Sequence, residues 1–125
     1  GALTIALNNP HRYRSVSAFA PICSPLNCPW GEKALGNYIG DDRAAWQQYD
    51  TTALVRNATD HLPALIDQGD ADNFLDSQLK PQLLEKACAE ASYSMTIRMQ
   101  AGYDHSYFFI ASFIGEHIEF HMRYV

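Results

Sequence analysis

The chain of 125 residues has the length of a single domain, and its 47% hydrophobic residues suffice to bury a core of moderate size. Its net charge of -5 argues against a nucleic-acid surface, because neutralising phosphates requires clustered cations and the nine lysines and arginines are scattered. No stretch approaches the roughly 18 apolar residues that a membrane span needs. These properties favour a small-molecule partner.

The first third of the chain predicts a helix, a strand and a long loop. Residues 2–7 are apolar and stop at an Asn-Asn-Pro sequence, so we interpret them as the end of a buried helix that begins upstream. Residues 15–21 alternate small and apolar side chains, which predicts a short buried strand. Residues 22–42 contain several prolines and glycines and predict a long loop of the kind that shapes a binding site.

The rest of the chain alternates predicted strands and helices. Residues 62–67 and 94–99 predict strands, and residues 75–91 and 106–123 predict helices. Strand and helix in alternation are typical of an α/β fold with a parallel sheet flanked by helices, in which ligands bind at the carboxyl ends of the strands.

Polar loops follow two of these strands and present Asp72 and His105 at the same edge of the sheet. In a serine hydrolase a carboxylate accepts a hydrogen bond from one imidazole nitrogen, and the other nitrogen takes the serine proton. The chain order nucleophile, acid, histidine of α/β-hydrolases fits these two loops as its last members. A second reading stays open at this point, in which both side chains only cap or hydrogen-bond their loops.

Other residues compete for these roles. Asp67 is predicted to close its strand, Asp70 to serve turn chemistry, and Asp104 directly precedes the histidine. His11, His61, His117 and His121 are the competing histidines, but none of them follows a predicted strand with glycine-rich turn chemistry. His117 and His121 are four apart on one predicted helix, a spacing that can hold a metal, but no third ligand is evident and a surface or packing role is favoured.

Three cysteines, an odd number, show no spacing typical of a disulfide framework. We read Cys23, Cys28 and Cys88 as thiols, which fits a reducing cytoplasm. The pair Cys23 and Cys28 is a weak pattern for zinc or for a nucleophile, because no second pair accompanies it.

Four short sequences, in order along the chain, resemble the S-formylglutathione hydrolase (esterase D) family. They are Ser-Ala-Phe-Ala-Pro at 17–21, Cys-Pro-Trp-Gly at 28–31, Asp-Gln-Gly at 67–69 with Asp72 and Phe-Leu at 74–75, and Gly-Tyr-Asp-His-Ser-Tyr at 102–107. With Phe-Ile-Gly-Glu-His-Ile at 113–118, the resemblance covers essentially the whole chain.

The resemblance implies that residues 1–125 are the C-terminal part of one α/β-hydrolase domain, with Asp72 as the triad acid and His105 as the triad base. No G-x-S-x-G elbow occurs in the sequence, so the nucleophilic serine is expected a few residues before Gly1. Trp30 is expected to form a wall of the substrate pocket, and without the resemblance ordinary core packing would explain it as well.

The family's activity is hydrolysis of S-formylglutathione to glutathione and formate, with side activity on small activated esters. The resemblance implies no metal or organic cofactor, a homodimer, and the N-terminal part of the same enzyme as the partner of this chain. A cytoplasmic location is expected from the cysteine pattern. The rival expectation is a self-sufficient, non-catalytic domain that binds a small ligand or a partner through the loop of Trp30. Against it, a sheet cut beside its nucleophile strand exposes an unpaired edge, so we expect the isolated chain to be poorly soluble.

Overall fold

The computed structural model describes all 125 residues and contains a three-stranded parallel sheet. Strands β1 (Val16–Phe19), β2 (Ala64–Gly69) and β3 (Thr96–Gln100) lie side by side in that order. Every residue of β2 is buried, because this strand is central and is covered on both faces. The parallel arrangement brings the carboxyl ends of all three strands to one edge of the sheet.

Six α-helices surround the sheet: α1 (Ala2–Asn8), α2 (Pro29–Tyr38), α3 (Arg43–Trp46), α4 (Thr51–Arg56), α5 (Pro81–Ala91) and α6 (Tyr107–Met122). The main core lies on one face of the sheet, where Leu3 of α1, Val55 of α4 and Leu84 of α5 pack with Ile66 of β2. A smaller cluster around Phe109 of α6 forms on the other face. The predicted α/β class, with helices flanking a parallel sheet, is confirmed.

The predicted strands and the two terminal helices are confirmed with small shifts at their ends. The strands begin one or two residues later than the apolar pattern indicates, and β2 and β3 extend further toward the site. The last helix begins at Tyr107, because the Ser106 hydroxyl accepts a hydrogen bond from the Phe109 amide and caps it.

The prediction of a continuous loop over residues 22–42 was wrong. A short 3₁₀ turn at Pro25–Asn27 is followed by the ten-residue helix α2. Pro29 is the first residue of α2, where the missing N–H needs no partner. Gly31 lies in the first turn because a Cβ there would come within 2.3 Å of Pro25. The prolines and glycines therefore mark the starts and close contacts of short elements.

The helix predicted over residues 75–91 is two elements. Leu75–Leu79 forms a π-helical turn, and α5 begins afresh at Pro81. Between them Lys80 has a φ of 45°, in the left-handed region. The break has a plain cause: Pro81 has no N–H to donate and its ring disfavours the helical conformation of the preceding residue.

Helix α6 carries an exposed apolar stripe, defined as Ile110, Ile114, Ile118 and Met122. These residues recur every fourth position and therefore share one face of the helix. Their exposure ranges from 36% to 64%. Apolar patches of this kind and the unpaired edges of β1 and β3 both promote association between molecules. No helix combines the length and apolarity that crossing a bilayer requires.

We expect the 125-residue chain to become more soluble when Ile114 and Ile118 are both replaced by glutamate. The urea midpoint should change little, because Ile114 and Ile118 are already 44% and 58% exposed. Size-exclusion chromatography and urea unfolding measure the two effects. Leu84→Glu is the matched control: Leu84 of helix α5 is fully buried in the core on the other face of the sheet, so this variant should unfold. Equal loss of stability in both proteins would show that the stripe is packed.

Candidate functional site

Asp72 and His105 lie together at the carboxyl edge of the sheet. The distance between His105 Nδ1 and Asp72 Oδ2 is 2.8 Å, so the two side chains share a hydrogen bond. The Asp72 side chain is fully buried, whereas the His105 side chain is 44% exposed. The structure thus brings the predicted acid and the predicted base into contact across 33 residues of sequence.

Backbone hydrogen bonds hold the loop after β2 against the loop after β3. The amide of Asp70 donates to the carbonyl of Gln100 at 3.1 Å, and the amide of Ala71 donates to the carbonyl of Tyr103 at 3.0 Å. The Gly102 amide donates to Asp70 Oδ1 at 2.7 Å. Asp70 therefore serves the turn chemistry predicted for it, and together these bonds fix the separation of Asp72 and His105.

Gly69 allows the two loops to approach each other. A Cβ built at this position would lie 2.1 Å from the carbonyl oxygen of Tyr103 and 2.6 Å from its carbonyl carbon. Real Cβ atoms essentially never come this close to backbone atoms, so any larger residue would push the histidine loop away from β2.

The Asp72 carboxylate accepts two further hydrogen bonds. The amide of Phe74 donates to Oδ1 at 2.8 Å. The side-chain amide of Gln68 donates to Oδ2 at 3.2 Å, and this is the oxygen that also contacts His105. Because the carboxylate is buried, these donors replace the water that would otherwise solvate it.

A cavity of about 330 Å³ opens beside His105. Its walls come from the end of β1, with Phe19 and Ala20, and from the first turns of α6, with Phe109 and Ile110. His105 Nε2 makes no hydrogen bond within the chain, while Nδ1 is held by Asp72. The imidazole therefore has one nitrogen fixed and the other available for a reacting group at the cavity.

Trp30 does not line this cavity; it is 41% exposed and approaches His105 through Phe74. Its ring centroid is 4.5 Å from that of Phe74, and the Phe74 ring meets the His105 ring almost perpendicularly at 5.6 Å. The Trp30 amide donates to Gln78 Oε1 at 2.9 Å, which ties the start of α2 to the π-helical turn. Phe74 thus forms a link between the tryptophan and the histidine that strand patterning did not indicate.

Asp67 belongs to a different cluster of side chains. The sequence predicted only that it closes its strand, whereas the structure gives its carboxylate several hydrogen-bond partners. Its carboxylate accepts two bonds from Arg98, at 2.6 and 2.7 Å, and one from Gln100 at 2.9 Å. His117 Nε2 lies 2.7 Å from the same group. Sequence reasoning missed this cluster, although Arg98 pairs directly with Asp67 in the register of β2 and β3.

The electrostatics of this cluster keep Asp67 ionised. Burial alone would raise its pKa, but the hydrogen bonds from Arg98, Gln100 and His117 outweigh burial, and the pKa lies below its ordinary value. Burial lowers the pKa of His117 despite its contact with Asp67. Both oxygens of Asp67 already have hydrogen-bond partners. Asp67 is therefore poorly placed to orient His105.

Of the other candidates, the two histidines of α6 have hydrogen-bond partners outside the Asp72–His105 pair, and Asp104 has none. His121 contacts the hydroxyls of Ser15 at 2.6 Å and Ser17 at 2.9 Å, which joins α6 to β1. Both of its ring nitrogens are therefore engaged, as is Nε2 of His117. The Asp104 carboxylate makes no hydrogen bond within the chain, although it is next to His105 in sequence.

The prediction of three thiols is confirmed, because Cys23, Cys28 and Cys88 are all free and buried. Burial, with a contribution from the charge of Asp50, raises the pKa of Cys23 to about 12. Burial likewise raises the pKa of Cys88 to about 11. Since the thiolate is the nucleophilic and metal-binding form, Cys23 and Cys88 are unsuited to either role.

A parallel sheet flanked by helices, with an acid and a histidine on successive strand-end loops, defines the α/β-hydrolase class. A family model described as "Esterase: Putative esterase" matches residues 1–120. Over 125 residues the chain is 52% identical to an S-formylglutathione hydrolase of Arabidopsis thaliana, covering 98% of this chain and 44% of the relative. The solved structure of an S-formylglutathione hydrolase from Agrobacterium tumefaciens is similar with a TM-score of 0.92 and 47% identity, again over 98% and 44% of the two chains.

The chain therefore belongs to the esterase family, and its relatives include S-formylglutathione hydrolases. It spans less than half the length of the relatives that it matches. This share agrees with the resemblance seen in the sequence, where the C-terminal motifs of the family are present and the nucleophile motif is not.

Replacing Gly69 with alanine should separate the two loops of the site. We expect a loss of about 3 kcal/mol in the free energy of unfolding, because the new methyl group overlaps the Tyr103 carbonyl. Gly115→Ala is the matched control: nothing lies within 4 Å of its Cβ position on α6, and alanine should stabilise that helix by up to about 1 kcal/mol. Urea unfolding measures both, and similar values for the two variants would contradict the close approach.

Acidification should destabilise the fold in two steps. The pKa of His117 is lower in the folded chain than its ordinary value of about 6.5, so its contribution is complete above that pH and is lost as the pH falls toward the folded value. Asp67 adds a second loss as the pH falls below about 4 and through its lowered folded pKa.

Urea midpoints measured between pH 8 and pH 3 would resolve these steps. His117→Gln retains an N–H donor for Asp67 but cannot titrate, so this variant should lose the first step and keep the second. A first step of unchanged size in His117→Gln would assign it to another group.

Proposed function

We propose that this chain supplies the acid, Asp72, and the base, His105, of a Ser-Asp-His triad in a thioester and carboxylester hydrolase that acts on S-formylglutathione. The 2.8 Å contact between His105 Nδ1 and Asp72 Oδ2, beside a cavity that His105 lines, carries the proposal. The identity with S-formylglutathione hydrolases supports the substrate class. Release of glutathione and formate would make the enzyme part of formaldehyde detoxification.

In the first half of the reaction, His105 Nε2 takes the proton of the serine hydroxyl as its oxygen attacks the formyl carbon. Asp72 accepts a hydrogen bond from Nδ1, which fixes the tautomer and stabilises the imidazolium. The tetrahedral intermediate then collapses, the carbon–sulfur bond breaks, and glutathione leaves with the proton from His105. The formyl group remains on the serine as an ester.

In the second half, water enters beside the formyl ester. His105 Nε2 removes a proton from the water, and the oxygen attacks the formyl carbon. Collapse of the second intermediate returns the proton to the serine and releases formate. Asp72 orients the imidazole in both halves, so the same pair serves each step.

We further propose that the serine and the oxyanion-hole amides lie in polypeptide outside this sequence, in the N-terminal part of the same enzyme. The relatives are more than twice as long as the matched region, and the sequence lacks the G-x-S-x-G elbow. The free edge of β1 lies beside the cavity, where a further parallel strand would bring a nucleophile toward His105.

Trp30 is proposed as a wall of the acyl pocket. It reaches the histidine through the ring of Phe74, and both aromatic rings are partly exposed. Rigid apolar surface next to a triad limits the size of the acyl group and excludes water. A formyl group would fit a pocket narrowed in this way.

A chimera tests the proposal, with this chain replacing the matching 44% of the Arabidopsis S-formylglutathione hydrolase. We expect the chimera to hydrolyse S-formylglutathione. His105→Ala and Asp72→Ala should each reduce kcat by several orders of magnitude, about 10⁴-fold, because each removes an essential part of proton transfer.

His11→Ala is the control, since the His11 side chain is 85% exposed and its Nε2 lies 3.2 Å from Asp60 Oδ2, away from the site. Its kcat should equal that of the unmodified chimera. Near-normal turnover after loss of His105 or Asp72 would remove that residue from the triad. A folded chimera without any hydrolase activity would favour a binding domain.

A further inference from the structure

Gln68 occupies a buried position at the end of β2, next to Gly69. No part of Gln68 is exposed to solvent. The side-chain Nε2 donates to Asp72 Oδ2 at 3.2 Å and to the carbonyl of Gly69 at 3.0 Å. The other polar atom of the side chain, Oε1, is buried and has no hydrogen-bond partner.

The unpaired Oε1 has a thermodynamic cost, because a buried carbonyl without a donor loses its hydration and gains nothing in return. Turning the amide over would not remove this cost, since Oε1 would then face the Asp72 carboxylate and the two oxygens would repel each other. An apolar side chain at position 68 would avoid the cost entirely. We therefore expect the side-chain N–H of Gln68 to have a function that outweighs the cost of the unpaired Oε1.

We propose that Gln68 is a positioning residue that holds Asp72 Oδ2 against His105. The inference rests on the proposed function, because it assigns a supporting residue to the same acid. Oδ2 receives both the Gln68 amide and the imidazole of His105, whereas Phe74 binds the other oxygen. The three donors leave the carboxylate no freedom to rotate away from the histidine.

The placement of Gln68 within the sheet makes it suited to this task. Gln68 belongs to the central strand and pairs in register with Met99 of β3, while Asp72 lies in the turn beyond the strand. A donor on the rigid strand thus fixes a group on the turn. Gln68 does not line the cavity beside His105, so it acts through Asp72 and has no contact with the space for substrate.

Gln68→Met in the chimeric enzyme tests this role, because methionine has a similar length and no N–H donor. We expect kcat for S-formylglutathione to fall about tenfold, the effect of one hydrogen bond to a charged group, with KM unchanged within about twofold. The Tm should stay the same or rise, because the substitution also removes the unpaired Oε1.

Thr52→Val is the control for loss of a buried polar group away from the site. The Thr52 hydroxyl donates to Asp50 beside the start of α4, so this variant should lower the Tm and leave kcat unchanged. Opposite effects of the two variants on stability and turnover would support the positioning role. A normal kcat in Gln68→Met, or a parallel loss of Tm and kcat, would overturn it.

His105→Ala in the same enzyme distinguishes a failure of the role proposed for Gln68 from a failure of the proposed function. If His105→Ala is inactive while Gln68→Met is normal, only the role of Gln68 fails. If His105→Ala turns over normally, the proposed function fails as well.

Discussion

The close approach of the Tyr103 carbonyl to Gly69 is the contact on which the candidate site depends. Without a Cβ at position 69, the loop after β3 can lie directly against the end of β2. The backbone hydrogen bonds from Asp70 to Gln100 and from Ala71 to Tyr103 then hold the loop that carries His105 in place. Because a parallel sheet already places both strand ends at one edge, this contact and these backbone bonds together set the distance between Asp72 and His105.

Asp67 and Asp72 lie near the same strand end, but their hydrogen-bond partners differ and so do their roles. Asp67 faces α6 and is saturated by Arg98, Gln100 and His117, which anchor β3 and α6 to the centre of the sheet. Asp72 lies past the strand, where its donors hold it toward the partly exposed His105. The first group stabilises the fold, and the second is placed to orient an imidazole.

Strand periodicity predicted the sheet and placed Asp72 and His105 at one edge of it, because parallel strands end there. The family resemblance was needed to choose Asp72 among the competing acids and to favour a catalytic pair over two loop-capping side chains. The Asp67 cluster escaped prediction, because Arg98 lies within a strand and His117 within a helix, where no loop motif marks them as partners of a carboxylate. Gln68 gave no signal because an amide in a buried strand follows no repeating pattern. Helix α2 was missed because Pro29 and its neighbouring glycines resemble loop punctuation, while their actual use is helix initiation and close packing.

Denaturing intact-mass analysis after exposure to a serine-reactive fluorophosphonate tests the division of the triad most directly. Applied to the chimera, with the modified peptide then mapped, it should find one adduct on a serine outside Gly1–Val125. Loss of His105 should abolish the adduct, because the serine would lack its base. An adduct on a serine within Gly1–Val125 would contradict the assignment of this chain as the acid and histidine part of the enzyme.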